Sequence, residues 1–165
     1  MFVFKNKIIL LLLLLTTFLV LLFWGERQLQ HANENFTNIN IQNAICRAEE
    51  NTCVVENKMF KLKLKMDSKI YYLSAFNVTA NSEVKGKNQI KKIQLDFKMK
   101  GMDMGVNRVL LKPGQQENNI QQWTGSGLLP ICVSGRADWV AELEIYMNQT
   151  RYRLQFPVIV HKITK

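Results

Sequence analysis

Ile90-Lys91-Lys92-Ile93-Gln94-Leu95-Asp96-Phe97-Lys98-Met99 alternates apolar and polar side chains. Ile93, Leu95, Phe97 and Met99 fall on one side, with Lys92, Gln94, Asp96 and Lys98 on the other. That period of two marks a half-buried strand. The pattern recurs on either side of this stretch. Between Met59 and Met66, Phe60, Leu62, Leu64 and Met66 alternate with Lys61, Lys63 and Lys65. Ile70 to Ala80 places Ile70, Tyr72, Phe76 and Val78 on one face. Trp139 to Met147 puts Trp139, Ala141, Leu143, Ile145 and Met147 inward, with Glu142 and Glu144 outside. Arg151 to Val160 closes the series with Tyr152, Leu154, Phe156, Val158 and Val160. Pro157 has no N–H to give to a ladder, so its strand is expected at an edge or at a bulge.

The segments between are read as follows. Val106 to Leu111 is a short strand ending at the turn Lys112-Pro113-Gly114, where Pro before Gly suits type II geometry. Gln115 to Trp123 is amide-rich and is expected to pair at an edge. Gly125-Ser126-Gly127 and Leu129-Pro130 are expected to form a loop leading into Ile131-Cys132-Val133. Met147-Asn148-Gln149-Thr150 supplies a further turn. Seven or more strands at about ten-residue spacing, with no helical pattern beyond the first 24 residues, predict an all-β antiparallel β-sandwich. About 120 residues suffice for one such core.

The first 24 residues belong to a different solvent. Lys5 and Lys7 precede a run from Ile8 to Trp24 without a charge. Seventeen helical residues reach about 25 Å, near the ~30 Å hydrocarbon core. Phe2, Val3 and Phe4 extend the run while the lysines snorkel, and Trp24 sits where an interfacial aromatic belongs. Bulky Leu22, Phe23 and Trp24 are unlike a peptidase site, so a retained anchor is expected rather than a cleaved leader. The lysines predict a cytoplasmic segment 1–7, a transmembrane helix 8–24 and export of the remainder. That places the chain in a bacterial inner membrane facing the periplasm. Residues 25–43 are polar and Asn/Gln-rich and read as a linker containing a solvated His31. The domain is expected over residues 44–165.

Three cysteines fit an oxidising compartment. An odd number permits one internal disulfide, and the short loop between Cys46 and Cys53 makes them the expected pair. Cys132 is then a buried thiol, a thiol paired in trans, or a metal ligand. The formal charge is +9, and removing Lys5 and Lys7 leaves +7 for residues 25–165. The lysines alternate with apolar residues, as on the wet face of strands. No nucleic-acid motif accompanies them, so the charge reads as solubility and attraction to anionic lipid. No metalloprotease motif, nucleophile elbow or phosphate-binding glycine loop is present, and His31 and His161 lie near opposite ends of the chain. The reading is a non-enzyme. Asn35, Asn77 and Asn148 head sequons that matter only on a eukaryotic secretory route.

Chemistry concentrates where the opening strand ends. Phe97-Lys98-Met99-Lys100-Gly101-Met102-Asp103-Met104-Gly105 holds three methionines. A thioether is soft, neutral at every pH and a good Cu(I) ligand, whereas the Asp103 carboxylate is a poor one. Met99 continues the core-facing row, while Met102 and Met104 follow Gly101 in a loop. Core filling is the commonest work of methionine and suits Met99 best. A thiolate from Cys132 joining two thioethers would make a tighter site. Trp139 heads an alternating strand and reads as core, and Trp123 could either pack or shield a metal.

This stretch resembles the FixH-like and YtkA-like exported domains, which carry a strand ending in Met-x-Gly-Met-x-Met-Gly. Leu129-Pro130-Ile131-Cys132-Val133-Ser134-Gly135-Arg136-Ala137-Asp138-Trp139 looks like part of the same arrangement. The resemblance implies a single-pass, membrane-tethered, immunoglobulin-like or cupredoxin-like sandwich. It implies work in copper delivery or haem-copper oxidase assembly, with Met99, Met102 and Met104 as candidate metal ligands and Cys132 undecided. A histidine-rich motif or second methionine motif is missing, which favours Cu(I) over Cu(II). The partners so implied are the lipid bilayer and an integral-membrane oxidase or other copper acceptor. A different class of function fits the same features. A metal-free assembly scaffold would use the Met-Gly loop and the anchor as contact surfaces.

Overall fold

The computed structural model describes residues 15–20, 36–132 and 136–161. The chain divides into two units, Met1–Asn35 and Phe36–Lys165. In the first, residues 15–20 are helical, and the rest of the expected anchor lies outside the described residues. Among the described residues no helix is long and apolar enough to cross a membrane.

The second unit is built from strands. They are β1 (Thr37–Asn40), β2 (Ala44–Arg47), β3 (Thr52–Glu56), β4 (Phe60–Met66), β5 (Ile70–Tyr71) and β6 (Ala75–Val84). Next come β7 (Ile90–Met99), β8 (Arg108–Glu117), β9 (Ile120–Leu128), β10 (Trp139–Met147), β11 (Thr150–Val158) and β12 (Val160–His161). Ten form one sheet in the order β1-β11-β10-β7-β8-β9-β6-β4-β3-β2, and β12 pairs with β5. The sheet curls until its two halves share one core. Phe76 of β6 meets Phe97 of β7 edge-on at 5.4 Å, and Phe60 of β4 meets Tyr152 of β11 at 5.1 Å. The alternating rows of the sequence supply this core: Phe60, Leu62, Leu64, Ile93, Leu95, Phe97, Leu143 and Ile145 are buried.

Several local expectations give way. The pairing is not antiparallel throughout, since β1 runs parallel to β11 and β12 parallel to β5. Residues 37–40, read as linker, form β1, because backbone pairing with β11 needs no apolar side chain and all four are exposed. Lys112-Pro113-Gly114 is no turn. It lies inside β8, where the register shifts between Pro113 and Gln116. The reversal comes at Asn118 and Asn119, both at positive φ, as a two-residue hairpin turn requires. In the strand order β8 and β9 are interior, but Lys112–Glu117 of β8 pairs with β9 alone, so the first part of the amide-rich segment is a local edge and the part in β9 lies within the sheet. Gly125-Ser126-Gly127 is no loop but part of β9, paired with β6. Pro157 fits its expectation, sitting on the part of β11 beyond the residues that β1 covers.

Where β10 crosses the middle of the sheet, its outward face carries charge that the fold buries. Gln94, Asp96, Glu142 and Glu144 were expected to be solvated, yet each is at most 7 % exposed. Longer side chains on neighbouring strands lie over them. Arg153 Nε donates to Glu144 at 3.0 Å, Gln155 to Glu142 at 2.6 Å, and Arg108 to Asp96 at 2.8 Å. Burial pushes the Glu142 and Glu144 carboxyls up, but these hydrogen bonds and the facing cations outweigh it and hold both below 4.5. Both carboxyls bind protons more weakly folded than unfolded, so their stabilisation is complete above the unfolded pKa and fades as pH falls through the folded values. The thermal midpoint is expected to drop between pH 5 and 3, and less so in Glu144→Gln. An equal drop in both proteins would show that other groups cause it.

At the edge of the sheet, Cys46 faces Cys53 across β2 and β3, and the two are joined as a disulfide. Closing this loop contributes about 2.5 kcal/mol on a chain-entropy account. Reduction should lower stability by that amount in denaturant titration, and a Cys46→Ser variant should lose the response to reductant.

Candidate functional site

The site is assembled at the end of the sheet where β7 stops and β10 begins. Met99 is the last residue of β7, opposite Trp139 of β10, which in turn lies opposite Val158 of β11. The chain then reverses through Lys100 and Gly101. Met102 N–H donates to Met99 O at 3.2 Å, and Gly101 takes φ 71°. A positive φ at the third position is the mark of a type II turn, and glycine adopts it without a steric penalty. Met99 and Met102 are thereby bridged as an antiparallel pair. Directly opposed side chains in such a pair share a face, about 5 Å apart at Cβ. Trp139, Met99 and Met102 thus form one row on the inner side.

Cys132 reaches this row from a distant part of the sequence. Its Sγ lies 3.6 Å from Met102 Sδ. Cys132 is 5 % exposed and Met99 3 %, while Met102 is half-buried against the core. The pair is therefore recessed, with Met102 on its more open side. Met104 is also half-buried against the core, and its placement is fixed through the backbone. Asn107 Nδ2 donates to Met104 O at 2.9 Å, and Gly105 N–H donates to Asp103 Oδ1 at 2.9 Å. Of the sequence candidates, the structure brings the sulfurs of Met102 and Cys132 together and sets Met99 beside Met102. Asp103 serves the turn.

Arg136 braces this arrangement, and the sequence reading did not single it out. Its Nη2 donates to Lys100 O at 2.9 Å, and its guanidinium pairs with Asp138. Its own carbonyl accepts from the Tyr72 hydroxyl at 3.1 Å, and Tyr72 accepts from Trp139 Nε1 at 3.3 Å. The segment carrying Cys132 is so tied to the turn carrying Met102. The hydrogen bond with Asp138 pushes the Arg136 pKa up, and the nearby Cys132 sulfur adds to this. An Arg-x-Asp spacing between a cysteine and a core tryptophan was the available signal.

The same end gathers exposed aliphatic side chains. Leu73, Val106, Leu128, Ile131 and Ile159 are each at least 40 % exposed, Val106 reaching 82 %. Ile131 adjoins Cys132, Val106 follows the Met104 loop, and Leu73 N–H bonds to Leu129 O at 2.9 Å. Among the described residues no three His, Cys, Asp or Glu side chains converge on a common point. The distinctive donors at this end are sulfur. No protein-family model matches the chain, and no curated protein matches it at a significant level.

Proposed function

We propose that the chain is a membrane-anchored protein of the bacterial envelope whose periplasmic immunoglobulin-like or cupredoxin-like sandwich holds Cu(I) for transfer to an acceptor. The observation that carries this is the 3.6 Å approach of Met102 Sδ to Cys132 Sγ, thirty residues apart in the chain. Two soft donors of this kind suit a soft monovalent ion and discriminate against calcium or magnesium, which want oxygen. The ion is cargo rather than a resident cofactor. A neutral thioether releases no proton on binding, whereas Cys132 must lose one, so uptake should release one proton per ion. The recessed position slows exchange with water, and half-buried Met102 leaves a side from which an acceptor's ligand could approach. Copper delivery to a haem-copper oxidase is the role that best joins the anchor, the sulfur pair and the resemblance.

The test is anaerobic titration of the full chain, in detergent, with Cu(I) held by a chromophoric competitor. One equivalent should bind, with release of a proton. No uptake against a weak competitor would remove the proposal. The five exposed aliphatic side chains around the sulfur end favour a second reading, a metal-free scaffold docking through this surface. Exchanging the anchor for an unrelated membrane span separates the two. A copper carrier should keep its activity, and a scaffold that also docks through its helix should lose it.

A further inference from the structure

A second site lies away from the sulfurs, where β7 and β8 part company. The two strands pair only over Ile93–Asp96 and Arg108–Leu111. From Lys112 onward β8 follows β9 instead, and the hairpin swings away from Ile90, Lys91 and Lys92. The split leaves a cleft of about 600 Å³, within the about 300–1,000 Å³ usual for small-ligand sites.

Its lining has an uncommon chemistry. Five carboxamide residues line it, Asn88, Gln89, Gln116, Asn119 and Gln121, together with Ser82 and Lys91, and no Asp or Glu is among the lining residues. Trp123, Ile90 and Val84 supply an apolar floor. The indole is fixed, since Trp123 Nε1 donates to Ser82 Oγ at 2.9 Å. Two of the amides are committed to the protein. Gln121 Nε2 donates to Gly114 O at 2.9 Å, and Asn88 bridges Lys85 O and Asn148. The other three, Gln89, Gln116 and Asn119, make no side-chain hydrogen bond to the described residues. Each carboxamide offers two donors and an acceptor in one plane. Vicinal hydroxyls on a sugar ring present the complementary pattern, and the ring's C–H face packs on an apolar floor. A phosphate or carboxylate ligand would want more cations than Lys91 alone.

We propose that this cleft binds a neutral saccharide chain through Gln89, Gln116 and Asn119, over the floor of Trp123. The site is independent of the copper reading and stands or falls separately from it.

Maltotetraose and chitotetraose are the probes, with the full chain in a detergent that carries no sugar. Saturation-transfer NMR and tryptophan fluorescence give the readout. At least one tetrasaccharide should bind with Kd on the order of 1 mM. The variant Gln89→Ala/Gln116→Ala/Asn119→Gly should weaken that binding about tenfold or more, as the loss of several hydrogen bonds requires. Glycine suits the positive φ of 66° at position 119, and an unchanged thermal midpoint confirms that the variant is folded. Should the triple variant fail to fold, Gln116→Ala alone should weaken binding measurably. Neither sugar binding, the folded variant binding equally well, or a tetra-alanine peptide binding in place of both sugars would each overturn the assignment.

Discussion

Replacing Cys132 with Ser, or Met102 with Leu, is expected to weaken anaerobic Cu(I) binding by at least about a hundredfold, since groups that merely orient a metal ligand already account for ten- to a hundredfold. Met102→Leu keeps the side-chain volume nearly constant, so its thermal midpoint should move little while affinity collapses, whereas Cys132→Ser buries a hydroxyl and is expected to lower the midpoint as well. The two losses should not add, because the sulfurs form one contact and either change dissolves it. Met104→Leu should cost much less, since the sulfur contact that carries the proposal joins Met102 and Cys132. Met99→Leu should fall between, since Met99 shares a face with Met102 beneath it. Proton release should vanish in Cys132→Ser and persist in Met104→Leu. Unaltered affinity in both Cys132→Ser and Met102→Leu would remove the proposed site, whatever the binding seen in the parent chain.

Gly127→Val is expected to destabilise the second unit by about 3 kcal/mol or more, at the upper end of what overpacking costs. A Cβ at position 127 would lie 2.6 Å from Val109 Cγ2 and 2.7 Å from Phe76 Cζ, closer than side chains tolerate. Gly125 is in the same condition, at 2.7 Å from Leu111 Cδ2. Both sit in β9 just past its pairing with β8, against Val109 and Leu111 of the stretch of β8 that still pairs with β7, and the missing side chains let the two layers close over Phe76 and Val109. Because Phe76 packs on Phe97 at 5.4 Å, the disturbance should travel into β7. Chemical denaturation reads the effect as a lower midpoint. A midpoint within about 0.5 kcal/mol of the parent, the range of harmless surface changes, would mean that the strands part at no cost and that the glycines have another purpose.

These two positions also show what the residues alone could and could not reveal. The strands β4, β7, β10 and β11 were legible because their apolar rows meet the core directly; burial alternates cleanly in β4, whereas in β7 and β10 part of the polar row is buried as well. Gly125 and Gly127 were misread as loop because glycine's usual signal is a turn. Here it marks a close approach that only the curl of the sheet creates. Pro113 misled similarly: its turn signal is genuine, but a register shift in β8 absorbs it. Glu142 and Glu144 were placed on the correct face yet taken as wet. Nothing local shows that Arg153 and Gln155 of the next strand will lie over them. At the sulfur site, Met99 was legible as core, but Met102 and Cys132 are neighbours only through the fold. The polar stretch 37–40 hid β1 because parallel pairing with β11 draws on backbone groups that composition does not advertise.

The direction of β1 has a consequence for how the domain would work on a leash. Thr37 enters the sheet opposite Thr150, whereas Met99 and Trp139 lie at the other extremity of β10. Nine residues of strand put roughly 27 Å between the two places. On the proposed reading, the strand nearest the anchor and the sulfur pair that would exchange the ion are therefore at opposite poles of the second unit.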